Sequence, residues 1–99
     1  MNTGLNEKTL NLIKSVFVNY DQIEKVYIFG SRAKGNYRPN SDIDLAISGE
    51  VDSFLAEKIA LNLEELPLPY KFDVQSYEGI KKQELKEHIN RVGVVIYSK

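Results

Sequence analysis

Three aspartates and a glycine–serine pair are the residues of this sequence whose types and spacing suit chemistry on phosphates: Gly30-Ser31, ten residues, Asp42-Ile43-Asp44, and later Asp73. Alternation along a strand puts Asp42 and Asp44 on one face, with Cα atoms roughly 6.5–7 Å apart. Carboxylates at that spacing can bracket two divalent cations about 3.5–4 Å apart. Asp73 lies in YKFDVQS between Phe72 and Val74. If its strand neighbours the Asp42–Asp44 strand, a third carboxylate joins the pair. Two unit charges about 5 Å apart repel by roughly 3 kcal/mol at an effective dielectric near 20, so such a cluster calls for a cation. Hard oxygen donors with no His or Cys nearby select magnesium, with manganese also suited, over zinc. Each aspartate alone reads equally well as a solvated charge or a strand-edge blocker. Aspartate is depleted in strand interiors, however, and three inside apolar strands speak against that reading.

The segment GSRAKGNYRPNS, residues 30–41, is turn-rich. A strand ending at Gly30-Ser31 leaves backbone N–H groups at the start of the next element, and a helical turn over Ser31 to Lys34 makes them an anion site. Glycine permits close approach of the backbone, and the Ser31 hydroxyl adds a donor. Arg32, Lys34 and Arg38 give a local positive excess suited to phosphate oxygens. Gly30, Ser31, Arg32, Lys34 and Ser41 are the candidate nucleotide- and phosphate-binding residues; a plain polar turn is the alternative. Two better-known motifs fail. Gly30 to Gly35 has the glycine spacing of a P-loop, but Asn36-Tyr37 stand in place of Lys and Ser or Thr. Asp42-Ile-Asp44 could open an EF-hand loop, but Ala46-Ile47 replace the third ligand and the glycine. Tyr37 reads as an ordinary turn tyrosine that could stack on a base. His88, the only histidine, sits in KKQELKEHINR and reads as a solvent-facing helix residue.

The elements that must position these groups emerge from periodicity. Asn6 can cap a helix running to about Tyr20, with Leu10, Ile13, Phe17 and Tyr20 on one stripe. Lys25 to Phe29 reads as a strand ending at Gly30, and Asp42 to Ser48 as a second, with Ile43, Leu45 and Ile47 facing away from the aspartates. Asp52 can cap a helix over about Ser53 to Leu66, stopped by Pro67 and Pro69. Its inner face takes Phe54 or Leu55, Ile59, Asn62 or Leu63, and Leu66. Tyr70 to Ser76 reads as a third strand, residues 79–91 as a polar helix, and Val92 to Tyr97 as a last strand, inner or edge. The order α-β-loop-β-α-β-α-β predicts an α/β (α+β) fold, a small mixed sheet flanked by helices.

The length fits one domain spanning residues 1–99. A chain this small leaves little room for a separate substrate lobe, so an acceptor is expected at an outer surface or on a partner. Thirteen basic against fourteen acidic side chains, a net charge of -1, argue against bulk nucleic-acid binding. The absence of cysteine excludes disulfides, thiolate zinc and cysteine nucleophiles. The polar start MNTGLNEKTL lacks a signal peptide's apolar run, and no segment has the length of a membrane span. A cytoplasmic protein with no membrane contact is expected.

The stretch FGSRAKGNYRPNSDIDLAIS resembles the signature of the minimal nucleotidyltransferases of the DNA polymerase beta superfamily: Gly-Ser, ten residues, Asp-Xaa-Asp, then an acidic residue on a later strand. Gly30, Ser31, Asp42, Asp44 and Asp73 fill those places, and the ending KEHINRVGVVIYSK is similar too. Lys34 departs from a frequent arginine. The resemblance implies the polymerase beta-like fold with its site at one end of the sheet. It implies ATP as donor substrate and two magnesium ions on Asp42, Asp44 and Asp73, which are then both metal ligands and catalytic residues. It also implies pairing with a HEPN-domain protein as toxin and antitoxin, the toxin being adenylylated, often on tyrosine. Two alternatives stay open: a nucleotide-binding antitoxin that neutralises its partner by contact, and a subunit of a two-chain nucleotidyltransferase. A homodimer and a hetero-oligomer are both compatible.

Overall fold

The computed structural model describes residues 3–99. Helix α1 (Glu7–Phe17) starts on Asn6, whose side chain accepts from the Thr9 N–H at 2.8 Å. That bond satisfies one of the donors a helix start leaves over. The helix ends three residues short of the Tyr20 expected from periodicity. Asn19 and Tyr20 bond to Val16 and Phe17, tightening the end into turns. Strand β1 (Ile23–Phe29) begins two residues before the expected Lys25. Helix α2 (Ser31–Lys34) is the single helical turn within the glycine-rich segment, closed by Gly35 in the left-handed region. Strand β2 (Ile43–Gly49) and helix α3 (Ser53–Glu64) come next, the latter capped by Asp52 accepting from the Leu55 N–H. Strand β3 (Phe72–Ser76) starts after Tyr70-Lys71, helix α4 (Gln83–Val92) starts four residues later than expected, and strand β4 (Val94–Ser98) ends the fold.

The sheet is mixed, in the order β3-β2-β1-β4, so β4 is an edge strand. β1 runs antiparallel to both neighbours, whereas β2 and β3 are parallel, joined through α3. A parallel pair needs such a crossover, and its consequence is functional. Both strands begin at the same end of the sheet, and there β1 delivers Gly30.

Alternation then divides the sheet's two faces. Ile43, Leu45 and Ile47 of β2 are fully buried with Val26 and Ile28 of β1, under Ile13 and Phe17 of α1 and Ile59 and Leu63 of α3. Each buried side chain of this size contributes about 1.5–3 kcal/mol relative to exposure. The paired options for α3 resolve cleanly: Leu55 and Leu63 pack inward, while Phe54 is 83% exposed. The opposite face carries Phe29, Ala46, Ile80 and Ile89, so α4 lies over the β1 side of it. Asp44 shares that second face with Ala46, at the strand end.

Candidate active site

The β2–β3 register pairs Asp44 with Asp73, and Ile43 with Phe72. The β1–β2 register pairs Phe29 with Asp44. The chain that turns at Gly30 therefore passes beside Asp44, with Asp73 on Asp44's other flank. Asp42 lies just ahead of β2 and is exposed, as is Asp73; Asp44 is half-buried. Burial raises the Asp44 pKa, and the neighbouring charges of Asp73 and Asp42 raise it further. An anion held in that position is disfavoured until a cation balances it.

Gly30 adopts φ +75° and ψ −151°, open to glycine and costly for other residues. A Cβ there would also overlap the Asp44 carboxylate. The turn is thus tied sterically to the acid beside it. Helix α2 starts at once, so the N–H groups of Ser31, Arg32 and Ala33 have no intrahelical acceptor. Lys34 donates to the Gly30 carbonyl and Gly35 to Ser31. Lys34's side chain is exposed in the last residue of that turn.

Arg32 requires a correction. Its side chain, expected at the phosphates, is 1% exposed and turned into the fold. Nη1 donates to the Thr3 carbonyl at 2.9 Å, Nη2 to the carbonyls of Ser41 (3.1 Å) and Pro39 (3.3 Å), and Nε to Ser41 (3.3 Å). The rings of Tyr37 and Tyr70 lie 5.2 and 4.9 Å from the guanidinium carbon. Carbonyl dipoles and ring faces replace water around the charge. The Arg32 side chain therefore fixes the loop between Gly35 and Asp42. Ser41 shares in this, because its hydroxyl accepts from the Arg38 N–H at 2.7 Å. Tyr37 packs on the same group instead of standing free as a turn residue.

His88 is the second correction. It is half-buried, and its Nε2 accepts from the Gly30 N–H at 3.3 Å. The signal was present in the sequence. His88 comes three residues after Leu85 and precedes Ile89 and Val92, which places it on the apolar face of α4.

The donor set suits a hard divalent cation: three carboxylates near one strand end, with the pKa of Asp44 raised by burial and by the other two. The chain brings them together through backbone register. Among the described residues, no three His, Cys, Asp or Glu side chains are already closed into a metal-binding group. The edge is open, with Asp42 and Asp73 at its rim. Among the described residues no helix is long and apolar enough to cross a membrane.

Residues 11–99 match the model of the family described as "Polymerase beta, Nucleotidyltransferase". The chain is 29% identical over 97 residues to the "Probable protein adenylyltransferase MntA" of Haemophilus influenzae, covering 96% of this chain and 84% of that protein. A solved structure described as a toxin-antitoxin with AMP-PNP superposes with a TM-score of 0.75 at 25% identity, over 96% of this chain and 75% of that one. Another, of a tri-AMPylated Shewanella oneidensis HEPN toxin in complex with MNT antitoxin, shares the fold at 18% identity and a TM-score of 0.72, over 96% and 74%. With the family model matched over residues 11–99, the chain belongs to the polymerase beta nucleotidyltransferase family.

Proposed function

We propose that this chain is a protein adenylyltransferase that moves AMP from ATP to a hydroxyl of a partner protein of the HEPN toxin class, and so acts as an antitoxin. One observation carries the reading: Asp44 sits between Asp73 and the Gly30-Ser31 turn, which sets carboxylates and unpaired backbone donors at one strand end. The likeness to a protein adenylyltransferase and to toxin–antitoxin structures supports the acceptor class.

The N–H groups of Ser31 to Ala33 and the Ser31 hydroxyl hold oxygens of the triphosphate, with Lys34 at the edge of the same turn. Asp42, Asp44 and Asp73 would hold two divalent cations, magnesium or manganese, which would supply neutralisation of the charge that develops on the reacting oxygens. Asp73, at the exposed rim, accepts the proton of the acceptor hydroxyl. That oxygen bonds to the α-phosphorus as the bond to the bridging oxygen breaks, and pyrophosphate leaves with the electron pair. Alignment of the two oxygens supplies much of the rate. The open edge leaves room for a side chain presented by a folded partner.

The test is incubation with α-labelled ATP, magnesium and a HEPN partner, resolved on a denaturing gel beside Asp42→Asn. A labelled partner band that disappears in the variant is expected. An unlabelled partner whose toxicity is still neutralised would replace this reading with inhibition by contact.

A further inference from the structure

The contact between His88 and Gly30 joins α4 to the catalytic turn across 58 residues of sequence. We infer that His88 is a positioning residue for nucleotide binding, acting through the Gly30 amide; this rests on the nucleotidyltransferase reading of the site. Gly30 is held from two sides. The Asp44 carboxylate lies where its side chain would be, and His88 takes its N–H. Gly30 has conformational freedom that other residues lack, so a turn built on it needs outside contacts to keep one bearing. That bearing, at φ +75° and ψ −151°, directs the amides of Ser31, Arg32 and Ala33. The bond also decides which amides remain for phosphate, because the Gly30 N–H is already paired.

His88 is itself held in place. Its ring meets Phe29 edge to face, with centroids 6.3 Å apart and planes at 81°. Its neighbour Ile89 is buried with Phe29 and Ala46. To accept at Nε2 the imidazole must be neutral, with its proton on Nδ1. The side chain thus supplies one acceptor at a fixed place, a role that a glutamine amide oxygen can fill and a phenyl ring cannot. Phenylalanine in turn keeps the edge contact with Phe29.

His88→Gln and His88→Phe separate these two features. Affinity for AMP-PNP, kinetics of adenylyl transfer, thermal melting and hydrogen exchange at the Gly30 amide are measured on both variants and on the wild type. In the wild type the Gly30 amide is protected from exchange. His88→Phe loses that protection and binds AMP-PNP about 10-fold more weakly, as expected when a positioning group is displaced, with a melting temperature within a few degrees of the wild type. His88→Gln recovers most of both the protection and the affinity. A freely exchanging Gly30 amide in the wild type overturns the inference. So does wild-type nucleotide affinity in His88→Phe, or a His88→Gln protein as impaired as His88→Phe. Exchange and AMP-PNP binding need no acceptor, so they judge His88 even if transfer to a partner protein is not found.

Discussion

The carboxylate of Asp44 lies against the α-carbon of Gly30, in the space a side chain at that position would fill. Gly30→Ala meets both that overlap and an unfavourable backbone angle. The expected cost is about 1–3 kcal/mol for the backbone alone, with a further loss from the overlap. Adding Asp44→Ala removes the overlap and leaves the angle. The two changes are therefore non-additive, and the double variant is more stable than the sum of the singles predicts. Urea melts of the four proteins test this; strict additivity would show that the contact carries no energy.

Asp44→Asn separates stability from activity. Burial and the charges of Asp73 and Asp42 raise the pKa of Asp44 in the folded protein. Between the unfolded value, about 3.9, and the raised folded value, the folded state holds more protons. Stability of the metal-free protein therefore falls as pH rises through that window, and the cost persists above it. Asparagine carries no such cost. The variant should melt a few degrees higher than the wild type at neutral pH without metal, with a smaller fall in stability across that window. Its transfer rate should drop about 100-fold or more. A variant less stable at pH 7 would contradict the assignment of strain to the charged acid.

Arg32→Lys tests the reassignment of the buried guanidinium. Lysine keeps the charge but cannot reach the carbonyls of Thr3, Pro39 and Ser41 at once from between two rings. A loss of about 1–3 kcal/mol is expected, as for polar groups left partly unsatisfied. AMP-PNP affinity, measured well below the melting temperature, should change less than 3-fold or so, since the guanidinium is already bonded to these carbonyls. A stable Arg32→Lys protein with a large loss of nucleotide affinity would return Arg32 to the phosphates.

The fold was legible in the sequence where periodicity and chemistry agreed. Ile43, Leu45 and Ile47 marked the buried face of β2, which put Asp44 on the other face. Asn6 and Asp52 marked the two long helix starts, and both side chains cap as expected. The order of strands was not legible: nothing local states that β2 and β3 lie side by side in parallel, although the Asp44–Asp73 pairing depends on it. Charge also misled at two positions. Arg32 in a basic, polar turn read as a phosphate ligand because the groups that bury it, Thr3, Tyr37 and Tyr70, come from distant and nearby segments alike. His88 was hidden by the charged residues around it, though its spacing from Leu85 and Val92 placed it on the apolar face of α4.

Divalent cation should act on the folded chain through the same carboxylates. A ligand that binds only the native state raises stability by about 2.7 kcal/mol at one hundred times its dissociation constant. Magnesium is therefore expected to raise the melting temperature of the wild type together with AMP-PNP. The gain should shrink sharply in Asp44→Asn and Asp73→Asn, whose register partnership places both at one strand end. Phe54→Ser, at an 83% exposed position, should show the full gain. Calorimetric scans with and without magnesium decide the matter. An undiminished shift in both aspartate variants would move the metal ligands away from this pair, and a shift lost only in Asp44→Asn would leave Asp73 as a proton acceptor alone.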